Sequence, residues 1–157
     1  MVSKFNEWVS AARLRTIPLS ISGVLTGSLA SLSENKFDFS IFLLALLTTV
    51  SYQVLSNFAN DYGDGIKGTD KNRIGPKRAL QSGAINQNEM KAGVILAAIF
   101  SLFLTILLVY VSFRNDLISF ILFITLGALA IFSAIKYTIG SNAYGYLGLG
   151  DIFVFLF

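Results

Sequence analysis

The sequence predicts an all-α protein whose helices cross a membrane, and three observations support that fold class. Hydrophobic residues make up 54% of the 157 residues and charged residues only 13%, about half the charged fraction of an ordinary soluble domain. Four apolar runs carry this excess, each close to the roughly 20 residues that a helix needs to cross about 30 Å of hydrocarbon. The runs also lack the water-facing polar stripe of a soluble bundle, which is the alternative fold.

The elements are predicted in the following order. An amphipathic N-terminal segment lies at the membrane surface, with Trp8 as its anchor. The first span contains Ser20, Gly23 and Gly27 at intervals of three and four, a pattern that suits close helix packing in a membrane. The four predicted spans are residues 17–32, 39–56, 94–113 and 117–135.

The connections between the spans differ in length. Two are short, "SENKFD" and "RND", whereas residues 60–89 form a connection rich in glycine that is long enough to fold into a cap. After the fourth span, a loop rich in Gly and Tyr leads to "IFVFLF", and six residues cannot cross a bilayer. We therefore expect residues 1–157 to be a fragment of a longer protein, with four spans and the start of a fifth.

The basic residues predict the orientation, because cytoplasmic loops of membrane proteins carry an excess of Lys and Arg. Ten of the twelve lie before the first span, between the second and third, or after the fourth; only Lys36 and Arg114 lie in the other two loops. The 60–89 connection is therefore expected to face the cytoplasm. The net charge of +3 is modest and clustered near the membrane, so it gives no reason to expect a nucleic-acid partner.

The chemistry available to the chain is restricted, because the sequence contains neither Cys nor His. This composition excludes disulfides, thiolate nucleophiles, imidazole bases and the usual zinc ligands. Carboxylates, amides, hydroxyls and cations must carry out any reaction.

A cluster of acids and amides follows the second span, in "NFANDYGDGIKGTD". Asn57, Asn60, Asp61 and Asp64 recur at intervals of three and four, so they share one side of a helix or of its frayed end. Asp70 follows once Gly65 and Gly68 have allowed the chain to turn. Oxygen ligands of this kind suit a hard cation, Mg²⁺ or Ca²⁺.

Basic residues near the acids predict a phosphorylated partner. Mg²⁺ bound by one or two carboxylates usually completes its coordination with water and substrate phosphate, and nearby cations can hold the remaining phosphate oxygens. At a membrane surface, this arrangement suits a lipid with a diphosphate head. The candidate cations are Lys67, Lys71, Arg73, Lys77 and Arg78. Each of them could instead be only a topology signal, as the acids could be ordinary solvated ion partners.

Asp151 stands at the start of the last apolar run, which leaves two interpretations open. Asp is a favoured N-cap, so the residue could simply begin a helix. It could equally belong to a site.

These motifs resemble the UbiA superfamily of intramembrane prenyltransferases. That family has an Asp-rich N-x-x-x-D-x-x-x-D motif after its second helix, which Asn60 and Asp64 match; its third position falls on Gly68, and Asp70 is the nearest substitute. Within the family, "RTIP", "RIGPKRALQSGAI" and "YGYLGLGDIFVF" resemble the branch that prenylates 1,4-dihydroxy-2-naphthoate in menaquinone synthesis.

The resemblance implies a multi-pass enzyme of the bacterial cytoplasmic membrane. It implies a Mg²⁺-dependent transfer of a polyprenyl group from a polyprenyl diphosphate to 1,4-dihydroxy-2-naphthoate, with loss of CO₂, giving demethylmenaquinone. Another aromatic acceptor is the alternative within the family. The family's second Asp-rich motif has no counterpart in the sequence. The resemblance therefore implies that residues 1–157 are the N-terminal half of a single transmembrane prenyltransferase domain, which is expected to be inactive alone.

The resemblance also implies roles for individual residues. Asn60, Asp61, Asp64 and Asp70 would hold the metal, with Asp61, Asp64 and Asp151 counted as catalytic. Arg78 is the first candidate for the diphosphate, and the other substrate-binding candidates are Lys67, Arg73, Lys77, Arg15, Asn57, Lys136 and Tyr137. Lys136, Tyr137 and Asp151 match positions on the acceptor side.

Two rival functions remain. A CDP-alcohol phosphotransferase also uses Asp-bound metal, but its D-G-x-x-A-R signature is absent, since "DGIKGT" lacks the Ala-Arg pair. A cation transporter would place acids in the middle of a span, whereas these acids follow the end of a predicted span.

Overall fold

A computed structural model describes residues 3–69 and 78–156, and these residues are mainly helical. Two short 3-10 turns, Leu14–Thr16 and Tyr144–Leu147, accompany the α-helices. In chain order the α-helices are α1 Lys4–Ala12, α2 Ile17–Ser33, α3 Phe39–Lys67, α4 Gln87–Phe113, α5 Leu117–Lys136 and α6 Gly150–Leu156.

Within the described residues, four stretches are long and apolar enough to cross a membrane, which confirms the predicted fold class. They are Lys4–Ser33, Phe39–Lys67, Gln87–Phe113 and Leu117–Lys136. Many large apolar side chains on these helices point outward, as expected where lipid replaces water. The final apolar run also begins a helix, α6.

The helix that contains the second span is longer than the predicted apolar run, because α3 continues past Ser56 to Lys67. Asp38 caps its start by accepting hydrogen bonds from the backbone N–H groups of Ser40 and Ile41. The helix ends at Lys67, and Gly68 caps it with a positive φ of 75°, a conformation that glycine adopts at no steric cost. At 1.5 Å per residue its 29 residues extend about 44 Å, so the last turns reach beyond the hydrocarbon.

The structure corrects two further details of the prediction. Gly65 is helical and does not form a turn; it packs closely on Leu80. The third span also begins earlier than predicted, at Gln87, because Asn86 and Glu89 form a reciprocal capping box. The connection between the second and third spans is therefore shorter than residues 60–89.

The core of the bundle forms around α3, which contacts α1, α2, α4 and α5. Leu55 and Ala59 on α3 are fully buried, with Val94 of α4 beside them. The N-terminal segment also packs on this core: Trp8 meets Phe58 edge to face, with ring centroids 5.2 Å apart. Trp8 is thus a packing residue, and its role as a surface anchor remains a prediction.

The small-residue face of α2 is only partly used. The Ser20 hydroxyl donates to the side-chain oxygen of Gln53 on α3, at 2.6 Å. Nothing in the described part of the chain lies within 4 Å of a β-carbon built at Gly23 or Gly27. The predicted close packing on this face is therefore present at Ser20. At the two glycines, no part of residues 3–69 and 78–156 packs closely.

Candidate functional site

The acid and amide cluster lies in the last turns of α3, where its members point to different partners. Asn57 is 4% exposed, and its amide donates to the backbone carbonyl of Ala12 at 2.9 Å. This bond joins the end of α1 to α3. The side chain that was predicted to bind substrate therefore faces α1.

Asp61, one turn further, holds the segment that leads towards α4. One carboxylate oxygen accepts from the backbone N–H of Ala79 at 3.1 Å, and the other accepts from the N–H of Leu80 at 3.4 Å. The residue is 2% exposed. Both oxygens of this predicted metal ligand are thus engaged in fixing the residues after Arg78.

Asp64 is the point where distant segments converge. Its Oδ2 lies 3.1 Å from a terminal nitrogen of Arg78, and its Oδ1 accepts from the Tyr146 hydroxyl at 2.6 Å. The Arg78 and Asp64 side chains are 9% and 15% exposed, so this ion pair is largely shielded from water. The predicted metal ligand Asp64 and the predicted diphosphate contact Arg78 therefore lie side by side in the fold, and both roles remain predictions.

Asn60 lies one turn before Asp64, at the wall of a cavity of about 600 Å³ between α2, α3, α5 and the following loop. Its amide oxygen lies 3.4 Å from the Thr138 hydroxyl. The cavity wall carries many hydroxyls and amides for a membrane bundle. It is formed by Ser20, Thr49, Tyr52, Gln53, Ser56, Asn60, Ala130, Ser133, Ala134, Tyr137, Tyr144 and Phe153.

An aromatic group forms the side of the cavity next to α6. The Tyr144 ring stacks on Phe153 with centroids 3.9 Å apart and meets Tyr137 edge to face at 5.5 Å. The Tyr144 hydroxyl donates to the carbonyl of Ser133 at 2.7 Å. Burial raises the pKa of the Tyr144 phenol, with a smaller contribution from Tyr137, so this donor stays protonated well above neutral pH.

The opposite face of α3 borders a different space. A groove of about 680 Å³ runs between α3 and α4, and its lining is almost entirely apolar, including Leu47, Val50, Phe58 and Leu96. Two spaces of similar volume on the two faces of one helix therefore differ in polarity. The cavity that Asn60 borders has the larger share of polar groups.

The oxygen donors fit a magnesium ion only if substrate completes its coordination. In residues 3–69 and 78–156, no three acidic side chains are grouped closely enough to enclose a metal. Asn60 and Asp64, four residues apart on α3, nevertheless supply an amide and a carboxylate on one side of the helix. Mg²⁺ commonly uses one or two carboxylates together with water and phosphate oxygens, so this pair suits it.

The other predicted site residues occupy varied positions. Lys67 lies in the last turn of α3 with its ammonium 3.5 Å from the centroid of the Tyr146 ring, whereas Arg15 is exposed in the first 3-10 turn. Tyr137 borders the cavity and Lys136 immediately precedes it. Asp70, Arg73 and Lys77 lie outside the described residues.

Asp151 lies inside the first turn of α6, so it is not the residue that precedes that helix. Its side chain is exposed, and the cavity wall that the described residues form does not include it. A role for Asp151 on the acceptor remains a prediction.

The sequence did not reveal two contributors to this site, Tyr146 and Thr138. Both belong to the loop after α5, whose richness in Gly and Tyr was visible but whose contacts with α3 depend on the tertiary fold. The Thr138 hydroxyl donates to the carbonyl of Ala59 at 2.8 Å. A β-carbon at Gly63 would lie 2.5 Å from Thr138, so the loop rests directly on the α3 backbone.

Comparisons with known proteins agree with this architecture. Residues 20–157 match the UbiA prenyltransferase family. The chain is 42% identical, over 99% of its length, to the 1,4-dihydroxy-2-naphthoate octaprenyltransferase of Escherichia coli. It is 45% identical, over 98% of its length, to the protein of that name from Haemophilus influenzae.

The chain covers 51% of the Escherichia coli and Haemophilus influenzae proteins, so it spans about half the length of these curated relatives. A more distant relative, 29% identical over 99% of the chain, is UbiA prenyltransferase domain-containing protein 1 of Dictyostelium discoideum, of which it covers 47%. No solved structure matches the chain. The predicted resemblance is confirmed: the chain belongs to the UbiA prenyltransferase family.

Proposed function

We propose that the full-length gene product transfers a polyprenyl group from a polyprenyl diphosphate to 1,4-dihydroxy-2-naphthoate. The observation that carries this proposal is the pairing of Asp64 with Arg78, at 3.1 Å, one turn beyond the polar cavity that Asn60 borders. The names of the bacterial relatives, which are 1,4-dihydroxy-2-naphthoate octaprenyltransferases, support the same acceptor.

In the proposed reaction, the bond between the allylic carbon and the diphosphate oxygen breaks, and its electron pair leaves with the diphosphate. A ring carbon of the acceptor forms a bond to the allylic carbon, and the acceptor's carboxyl group leaves as CO₂. The electron pair of the broken carbon–carbon bond restores the aromatic ring, so the product is the reduced, hydroquinone form of demethylmenaquinone. No nucleophilic side chain is needed, which suits the absence of Cys and His from these 157 residues.

The charged side chains at the end of α3 would hold the diphosphate. Arg78 presents a planar guanidinium that can bind two phosphate oxygens together, and Lys67 adds a second cation. Asn60 and Asp64 would hold Mg²⁺, which when bound supplies positive charge to the departing diphosphate. In this proposal Asp61 contributes indirectly, because its bonds to Ala79 and Leu80 fix the chain next to Arg78.

The cavity would hold the aromatic acceptor. Tyr137 and Tyr144 offer aromatic surfaces, while Gln53 and Ser56 offer polar groups at the depth of the span. Aromatic walls combined with hydroxyl and amide groups suit an aromatic molecule with hydroxyl and carboxyl substituents.

The proposed location is the bacterial cytoplasmic membrane, with the Asp64 end of α3 on the cytoplasmic side. The excess of basic residues in the loops on that side supports this orientation. Both substrates then meet at the inner surface: the lipid diphosphate enters from the bilayer and the acceptor enters from the cytoplasm.

Membranes that contain the full-length protein should prenylate 1,4-dihydroxy-2-naphthoate when they receive a labelled prenyl diphosphate and Mg²⁺, and a chelator should stop the reaction. Asp64→Ala should lower the rate at least about 100-fold, as expected when a charge that orients metal and leaving group is lost. Asp38→Ala, at the other end of α3, is the control and should retain the rate within about twofold. Full activity of Asp64→Ala would refute the assigned site.

A further inference from the structure

Tyr146 contacts two charged residues of α3 at the same time. Its hydroxyl donates to Oδ1 of Asp64 at 2.6 Å, and its ring lies beneath the Lys67 ammonium, 3.5 Å from the centroid. Asp64 and Lys67 are three residues apart and so neighbour each other on the last turn of the helix. One aromatic side chain therefore lies against both a carboxylate and a cation.

The loop that carries Tyr146 is held to the helices by bonds that do not involve the tyrosine hydroxyl. Thr138 donates to the carbonyl of Ala59, and the Gly145 N–H donates to the carbonyl of Tyr137 at 2.9 Å. Gly63 allows Thr138 to approach the α3 backbone. These contacts bring the Tyr146 ring to the end of α3, so removing only its hydroxyl should leave the loop in position.

The hydrogen bonds at Asp64 orient its two oxygens differently. Oδ1 accepts from Tyr146, with the Thr69 hydroxyl at 3.2 Å, whereas Oδ2 faces Arg78. A carboxylate oxygen has two lone pairs, so the two hydroxyls occupy Oδ1 and direct Oδ2 towards the arginine. Donors of this kind keep a metal-binding carboxylate in one rotamer and strengthen metal affinity.

The ring of Tyr146 acts on Lys67 through a different interaction. Lys67 is exposed, and an exposed lysine side chain ordinarily samples many rotamers. The negative face of an aromatic ring attracts an ammonium group, so Tyr146 limits where the Lys67 charge can lie. The ammonium is thereby held on the same side of the helix end as the Asp64 carboxylate.

We propose that Tyr146 is a positioning residue with two separable actions: its hydroxyl orients Asp64 for a divalent cation, and its ring holds Lys67 for the diphosphate. This inference rests on the proposed function, because it takes Asp64 as a metal ligand and Lys67 as a phosphate contact. It extends that function to a residue in the loop after α5, 82 positions along the chain from Asp64.

Two substitutions in the full-length protein separate these actions. Tyr146→Phe removes the hydroxyl and keeps the ring, so it should weaken binding of Mn²⁺ about tenfold. At saturating Mn²⁺ it should leave the affinity for inorganic pyrophosphate within about twofold of the parent. Tyr146→Leu removes both actions, so it should weaken Mn²⁺ binding as Tyr146→Phe does. At saturating Mn²⁺ it should also weaken pyrophosphate binding about fivefold or more.

The measurements are free Mn²⁺ from its electron paramagnetic resonance signal and pyrophosphate binding by calorimetry, both on purified protein. Tyr110→Leu is the matched control, since Tyr110 is an exposed tyrosine of α4, and it should change neither affinity. Lys67→Met tests the second action without altering the loop: it should weaken pyrophosphate binding and retain the Mn²⁺ affinity.

The outcomes distinguish this inference from the function on which it rests. If Asp64→Asn abolishes Mn²⁺ binding while Tyr146→Phe binds Mn²⁺ as well as the parent or better, the positioning role is refuted and the proposed metal site stands. If Asp64→Asn retains full Mn²⁺ affinity, both are refuted. If Tyr146→Leu retains pyrophosphate affinity, the action of the ring on Lys67 is refuted.

Discussion

The two ends of α3 each carry an aspartate, and the surroundings of the two carboxylates differ sharply. Asp38 accepts hydrogen bonds from the backbone of Ser40 and Ile41, two and three residues away, and it is exposed. Asp64 is mostly shielded and is contacted by Arg78 and Tyr146, which are far from it in sequence. The first aspartate completes a helix locally, whereas the second joins separate parts of the fold.

This difference shows why residue type and helix position do not identify a site on their own. An aspartate at the start of a helix satisfies backbone N–H groups that have no partner inside the helix. An aspartate near the C-terminal end has no such local task, and the helix dipole disfavours its negative charge there. The Asp64 carboxylate at that end is instead held by the guanidinium of Arg78 and the hydroxyl of Tyr146. A diphosphate needs cations of this kind, and a metal ion needs a carboxylate oxygen such as those of Asp64.

Of the substitutions that test this difference between the two ends of α3, one at Gly63 should have the largest effect. Gly63 lets the loop after α5 rest on the Asp64 end of α3. Gly63→Ala would place a β-carbon 2.5 Å from Thr138, close also to its backbone oxygen at 2.6 Å. We expect a loss of about 3 kcal/mol in unfolding free energy and at least a tenfold loss of prenyl transfer. Unfolding of the full-length protein in detergent and a membrane activity assay measure the two effects.

Gly23→Ala in α2 is the control for this substitution. Nothing described lies within 4 Å of its added β-carbon, and alanine favours helix over glycine. Stability should be unchanged or slightly raised. Equal behaviour of the Gly63 and Gly23 variants would contradict the close contact between loop and helix.

Asp61→Asn should have an intermediate effect and separates structural support from metal binding. The amide that replaces one oxygen cannot accept from both Ala79 and Leu80, so a buried N–H group loses its partner. The expected cost is about 2 kcal/mol in unfolding free energy, with the affinity for Mn²⁺ retained in the folded fraction. A large loss of Mn²⁺ affinity without destabilisation would instead make Asp61 a metal ligand.

Asp38→Ala should have the smallest effect, since it removes a single helix cap. N-cap substitutions of this kind cost about 1 kcal/mol. The thermal unfolding midpoint should fall slightly while prenyl transfer in membranes stays within about twofold. A strong loss of transfer at unchanged stability would show that the contrast between the ends of α3 is wrong.

The fold was predictable from sequence because hydrophobicity and length determine where a chain crosses a bilayer. The helix boundaries were less accurate: α3 continues to Lys67 because its polar residues keep their helical bonds beyond the apolar run. Apolar composition marks the hydrocarbon region and not the end of the helix. The predicted turn at Gly68 is confirmed. The predicted turn at Gly65 is wrong, because Gly65 lies inside α3, where Leu80 packs against it.

The candidate site was only partly predictable for a different reason. Spacing along the helix brought Asn57, Asn60, Asp61 and Asp64 to one side, but it could not show what each one contacts. In the structure, the bonds of Asn57 and Asp61 go to backbone groups of other segments, while Asn60 borders the cavity and Asp64 meets Arg78. These partners come from remote parts of the chain, so only the tertiary fold assigns them.

The bond between Asp64 and Tyr146 also bears on how the protein is made. A ribosome adds residues from the N-terminus at about 5–20 per second, so the 82 residues that separate these partners take about 4–16 s to synthesise. During that interval α3 can already be inserted in the membrane, while Tyr146, the hydrogen-bond donor to Asp64, has not yet been synthesised. A nascent chain shorter than 146 residues therefore lacks this contact, so the Asp64 end of α3 gains it only after α4, α5 and the following loop have been synthesised.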